Sequence, residues 1–266
     1  MTIFQSEFFT TIFTHIQGTI GALSIAAPFL TLAIALEIIL PGQKINVRSN
    51  VFNIIYTPIF LTISSVILSY LWMLIPKDII RGIFNISSHA GYLQIIVFII
   101  YLLVFDFCYY WLHRAQHQWN WLWKFHATHH SDPNVSALTT SRHHWLEDVF
   151  RFIPVLLPLS IIFGSLSSLP LWALVAPGLY GIFIHWNCPF QMRPIQKLIV
   201  TPWFHRVHHS IALEHRDKNF AVFFPFWDII FGTAFFSDKS TPYPKTGIET
   251  SIPINSWRRL LPIPQQ

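Results

Sequence analysis

Charge is scarce in this sequence. Lys, Arg, Asp and Glu make up 11 per cent of its 266 residues, less than half of the ~25 per cent usual in a soluble domain. A water-facing surface of ordinary composition is thereby excluded. Cysteine is scarcer, with only Cys108 and Cys188, which rules out a disulfide framework. There is no basic block either. The net charge is +5 and the pI about 9.3, but Lys and Arg are scattered, so attraction to anionic lipid headgroups explains them better than nucleic acid does. No Lys or Arg precedes the first apolar run, and MTIFQSEFFT therefore does not read as a secretory signal.

Apolar residues are abundant, at 53 per cent hydrophobic and 17 per cent aromatic, with mean hydropathy +0.46. About 20 consecutive apolar residues cross a bilayer as a helix. Thr19 to Leu40, Val51 to Ile75 and Tyr92 to Leu112 each qualify. A fourth apolar region, Phe152 to Met192, is broken by Pro154, Pro158, Gly164, Pro170 and Pro177. Its segment GSLSSLP reads as a turn, so a hairpin or re-entrant pair is expected. The prediction is an all-α integral membrane protein of about three transmembrane helices plus a helical hairpin, with a cytosolic helical cap. Residues 1–90 form the N-terminal helices, 91–240 the functional domain and 241–266 a peripheral tail. Lys44 and Arg48 share a face with the segment after span three, and the positive-inside rule makes that face cytoplasmic.

The segment after span three is rich in histidine. His113 and His117 are four apart and share one helix face. His126, His129 and His130 form an HxxHH box, and His205, His208 and His209 repeat it. Positions i, i+3 and i+4 converge on one side of a helix, giving three imidazoles within a turn. His15, His89 and His215 stand alone and read as surface or core residues. Eight clustered histidines exceed one ion's capacity, so two metal ions are expected; imidazole suits zinc, copper, iron and nickel. For the two HxxHH boxes to share those ions, the apolar region between them must return to the face it left.

These residues resemble the fatty acid hydroxylase and sterol desaturase superfamily of membrane di-iron enzymes. The segments that carry the resemblance are Asp106-FCYYWL-His113-RAQ-His117, His126-AT-His129-His130, Arg142-H-His144-WL-Glu147, His185-W-Asn187, His205-RV-His208-His209, Asp217-KNF and Trp227-DIIFGT. They run in order over roughly residues 92 to 236. Trp145 stands where the family has proline and Ala221 where it has glycine; neither change removes a ligand. The resemblance implies two irons held by His113, His117, His126, His129, His130, His205, His208 and His209. It also implies His185 as a ninth ligand and His144, favoured over His143 by spacing, as a tenth. Asp106, Glu147, Asp217 and Asp228 are candidate carboxylates for the outer ring nitrogens of ligating histidines.

The implied reaction is hydroxylation or desaturation of a membrane lipid, with O2 as co-substrate. The sequence carries no cysteine cluster, haem-attachment motif or GxGxxG fingerprint. Electrons are therefore expected from a reductase or a small haem or iron–sulfur carrier. The C-terminal PIPQQ lacks a lysine-type retrieval signal and tilts the reading from endoplasmic reticulum toward a bacterial inner membrane. Three rivals stand beside this one. An acyl-CoA-type membrane desaturase usually separates the first two histidines by four residues, not three. A metal transporter would place ionisable ligands in several spans, and spans one and two offer only Glu37. A catalytically silent descendant would keep the boxes for metal binding alone.

Overall fold

The computed structural model describes residues 3–80, 82–84, 91–164, 171–238 and 240–248. Among them the architecture is helical, with one isolated β-bridge between Ser210 and Thr246. Three long helices come first: α1 (Ile3–Ile39), α2 (Val47–Met73) and α3 (Gly91–Gln118). Each contains a stretch long and apolar enough to cross a membrane. Within hydrocarbon the backbone must satisfy its own hydrogen bonds, and a helix does so. Pro28 and Pro58 lie inside α1 and α2 without ending them. Exposed Phe29, Leu32, Ile54, Ile55, Ile95 and Ile99 form the surfaces that lipid would cover.

The third helix runs past the expected end of its span, to Gln118, and so carries His113 and His117 beyond the apolar stretch. The chain breaks at Trp119, whose backbone is extended, and restarts as α4 (Asn120–His130). A 3-10 turn, Ala137–Ser141, leads to α5 (Glu147–Arg151). Prolines 154 and 158 lack the N–H an α-helix needs. The chain accordingly widens into a π-helical turn, Phe152–Leu156, with the Leu157 N–H bonded to the Phe152 carbonyl. It then tightens again as α6 (Leu157–Phe163).

Both arms of the expected hairpin are helical. After Gly164 the rest of the predicted turn, 165–170, lies outside the described residues, and α7 (Leu171–His185) returns to end on a histidine. At 15 residues it rises about 22 Å, short of the ~30 Å core. Two short helices complete the set, α8 (Pro202–His208) and α9 (Phe226–Ile230). The predicted tail SIPINSWRRLLPIPQQ, 251–266, lies outside the described residues.

Packing brings one end of every long helix to the same place. Val97, Phe98, Tyr101 and Tyr109 of α3 pack with Val155, Leu159 and Phe163. The α1–α2 connection meets the segments around the boxes through polar bonds: Gln43 N to Asn187 Oδ1 (3.0 Å) and Asn46 N to Asn134 Oδ1 (3.2 Å). The start of α2 adds Ser49 Oγ to Asp132 (2.7 Å). Gly181 lets α7 approach the 3-10 turn, since a Cβ there would stand 2.9 Å from Thr140 Cγ2.

Candidate metal centre

The histidines converge as two groups. His113 and His117 from α3, His126 and His130 from α4 and His208 from α8 form the first. His129 from α4, His185 from the end of α7, and His205 and His209 at α8 form the second. Within each group one ring nitrogen per residue lies within 4.8 Å of all the others. The two HxxHH boxes divide in opposite senses. In the first box the i and i+4 residues join the first group and the i+3 residue the second; in the second box the assignment is reversed. The groups share a wall, where the His130 and His209 rings stack at 4.4 Å.

Carbonyl oxygens fix several of the rings. His113 Nδ1 donates to the Phe220 carbonyl (2.7 Å), His208 Nδ1 to that of Lys218 (2.9 Å) and His185 Nδ1 to that of Gly181 (2.8 Å). A carbonyl only accepts, so the proton of a neutral ring sits on Nδ1 and Nε2 presents a bare lone pair. His126 Nδ1 faces the Glu147 carboxylate at 3.3 Å. Burial alone would raise the Glu147 carboxyl, but the His126 contact, with His143 and Arg151, holds it down to about 2. Gln116 Nε2 donates to the same Glu147 oxygen at 2.6 Å.

The Phe220 and Lys218 carbonyls belong to a loop with unusual backbone. Asp217 and Asn219 both adopt positive φ, 56° and 62°, a region these two residue types tolerate better than most. The Asn219 side chain locks the loop: Nδ2 donates to the Phe204 and Phe235 carbonyls (2.9 and 3.0 Å), and Oδ1 accepts the Phe235 N–H (2.7 Å). Asp228 accepts the N–H groups of Phe220 and Ala221, and Asp106 those of Val222 and Phe224. Two of the four candidate carboxylates therefore act on the loop that aims the rings and not on a ring. Asp217 is half exposed and 3.9 Å from His117 Nδ1; among the four, only Glu147 touches a histidine closely.

Nine of the ten predicted histidines fall in the two groups. His144 lies outside both, its ring against Phe125 and its Nδ1 accepting the Leu146 N–H. Its neighbour His143 stacks on His129 instead, ring centroids 4.2 Å apart and 9° from parallel. His215 is a satisfied core residue, bonded to Ser210 Oγ at 2.8 Å; His15 is half-buried, and His89 lies outside the described residues. The sequence places Arg142 and Asn219 in segments that resemble the family without giving either a role, and it passes over Gln116, Asp132 and the buried Arg206. The partners of Gln116 and Arg206 are far off in sequence, and no local spacing singles those residues out.

The donor set fits metal ions. Nε2 pairs approach to 3.1 Å for His113–His126 and His117–His130, 3.2 Å for His129–His185 and 3.0 Å for His185–His205. Two imidazoles at right angles on one ion, with bonds of about 2.1 Å, stand about 3.0 Å apart. Burial, reinforced by neighbouring imidazoles, pushes His129, His130, His205 and His209 well below the ordinary histidine value. His208 is pushed down by burial to about 3. The rings are thus neutral and able to ligate, and His208 Nε2 is buried with no hydrogen-bond partner among the described residues.

Known proteins carry the same region. The chain is 30 per cent identical over 132 residues to the ornithine lipid hydroxylase OlsE of Rhizobium tropici, covering 50 per cent of this chain and 40 per cent of that one. It is 33 per cent identical over 138 residues to the human alkylglycerol monooxygenase, covering 48 and 28 per cent. To the very-long-chain aldehyde decarbonylase GL1-6 of Oryza sativa subsp. indica it is 30 per cent identical over 151 residues, covering 51 and 22 per cent. The alignments span well under half of each relative. No solved structure matches. The fatty acid hydroxylase family model matches residues 98–233, from the first third of α3 to just beyond α9. That stretch is half the chain and holds every histidine of both groups: the protein belongs to the fatty acid hydroxylase family.

Proposed function

We propose that this protein is an O2-dependent membrane oxidoreductase that hydroxylates, or desaturates, a lipid at a di-iron centre held by these nine histidines. The observation that carries the reading is the convergence of two groups of buried imidazoles that share one wall. His113, His117, His126, His130 and His208 would hold one ion, and His129, His185, His205 and His209 the other. Bound iron supplies the reductive activation of O2 that attack on an unactivated C–H bond needs, which side chains alone do not provide.

The chain's own part is orientation and exclusion of water. The Phe220, Lys218 and Gly181 carbonyls and the Glu147 carboxylate hold four rings by Nδ1, leaving Nε2 toward the centre. The closed packing around the groups, with Tyr110, Phe204 and Phe220 buried beside them, keeps the site dry. The lipid-facing surface of α3 leads toward His113, so a substrate dissolved in the bilayer reaches the centre from the side, its polar end toward the histidine boxes. Electrons come from an external reductase or small carrier, and the boxes face the cytoplasm of a bacterial inner membrane.

The relatives named as lipid hydroxylase and monooxygenase support hydroxylation as the first outcome to seek. The test compares lipid extracts from cells expressing the chain and its His205→Ala/His208→Ala variant under isotopically labelled O2. Hydroxylation adds one labelled oxygen to a lipid in the parent cells alone. Desaturation removes two hydrogens and adds no label. Identical extracts would overturn the proposal.

A further inference from the structure

Glu37 lies on α1, far in sequence from the region that matches the family, yet its carboxylate is fully buried against that region. Oε1 accepts two backbone N–H groups, from Ala137 and from Asn187, both at 2.8 Å. Ala137 opens the 3-10 turn after the first HxxHH box, and Asn187 stands two residues beyond His185. Oε2 is buried with no hydrogen-bond partner among the described residues. A carboxylate in an apolar helix is costly and ordinarily has a task.

The contact continues from Asn187. Its Oδ1 accepts the Gln43 N–H (3.0 Å) and the Tyr243 hydroxyl (2.8 Å), and its Nδ2 donates to the Gln43 carbonyl (2.7 Å). Gln43 Oε1 in turn accepts from Arg206 Nη2. Arg206 sits between His205 and His208 and also donates to the carbonyls of Pro244 and Val135. One unbroken set of bonds therefore runs from Glu37 to the segments bearing His185, His205 and His209. These are three of the four residues of the second group. The segment of His205 and His209 also bears His208 of the first group, whose Nδ1 is held separately by the Lys218 carbonyl; the other four members of that group lie on α3 and α4.

We propose that Glu37 is a positioning residue for the second histidine group, acting as a hydrogen-bond acceptor that ties α1 to the end of α7 and, through Asn187 and Gln43, to α8. The proposal rests on the metal-centre reading above. Both bonds converge on one oxygen, so a glutamine amide oxygen can replace it. Leucine cannot, and would leave two buried N–H groups without an acceptor.

The test uses full-length protein in detergent, as Glu37→Gln and Glu37→Leu beside the parent, with two readouts. Hydrogen exchange on metal-free protein reports the amides of Ala137 and Asn187. Iron content after loading with ferrous iron reports the site. Glu37→Leu is expected to exchange ~tenfold faster in both segments, as loss of one buried bond implies, and to hold one iron fewer than the parent. Glu37→Gln is expected to match the parent in both. Parent-like exchange in the leucine variant, or a glutamine variant as impaired as the leucine one, would overturn the proposal. A parent that binds no iron would sink the metal reading, while exchange would still decide the role of Glu37. If Glu37→Leu does not fold, Gln43→Ala takes its place. Faster exchange in α8 with loss of one iron is expected there, and parent-like behaviour overturns the proposal.

Discussion

His113 Nε2 and His126 Nε2 lie 3.1 Å apart, while the Nδ1 of one is committed to the Phe220 carbonyl and that of the other to the Glu147 carboxylate. With both protons on the outer nitrogens, two lone pairs face each other across a buried gap. That arrangement is repulsive until a cation lies between them. Removing Glu147 releases the His126 proton to the inner nitrogen. Glu147→Ala is therefore expected to weaken metal affinity of the first group by about 10–100-fold, measured by competition with a chelator. Glu147→Gln, whose amide oxygen still accepts from Nδ1, is expected to lose less.

Asn219 combines a positive φ with a buried side chain that makes three hydrogen bonds. Asn219→Ala removes all three and adds backbone strain, at about 2–4 kcal/mol. Asn219→Gly relieves the strain but not the lost bonds, so it should fall between alanine and parent in thermal unfolding. Equal stability of all three would show that the loop is held without it.

Gly181 and Thr140 are expected to be coupled. Gly181→Ala gains about 1 kcal/mol of helix propensity but drives its Cβ against Thr140 Cγ2, a clash of about 1–3 kcal/mol. The single variant should be neutral to destabilised. Thr140→Ser removes the methyl and keeps the hydroxyl bond to the Ala137 carbonyl, so the double variant should recover ~1 kcal/mol in a double-mutant cycle. Additive changes would contradict the contact.

Acid should unfold the metal-free protein early. His129, His130, His205 and His209 lie well below 6.5 when folded, and His208 at about 3. Above pH 6.5 neither state takes up protons at these rings. Below it the unfolded chain does and the folded one does not, so stability falls until the folded values are reached. Each ring contributes up to ~1.4 kcal/mol per pH unit. Glu147 adds to the loss further down, since its contribution is present above 4.5 and disappears as pH falls toward about 2. Melting temperature should decline from pH 6.5 downward, starting from a higher value after iron loading. A flat profile to about pH 5 would contradict neutral buried rings.

The spans, the two helical arms after them and the convergence of three histidine clusters were legible because apolar run length and i, i+3, i+4 spacing are local properties. The division of each HxxHH box between two groups was not, since it depends on which helix faces which. Spacing favoured His144, but adjacent residues in a non-helical segment point different ways, and His143 is the one that meets His129. Asp106 and Asp228 read as partners for histidines; they hold backbone amides of the Phe220–Phe224 loop, a long-range relation no motif encodes. Glu37 looked like a charge at the end of a span because its two partners lie 100 and 150 positions away.

The most direct test of the two-ion centre is elemental analysis of detergent-purified protein from iron-replete cells, beside His208→Ala and His129→Ala, one residue from each group. About two irons per chain in the parent, with each variant losing at least one, is the expected result for groups of this size. A single zinc, or metal content unchanged by either substitution, would contradict it.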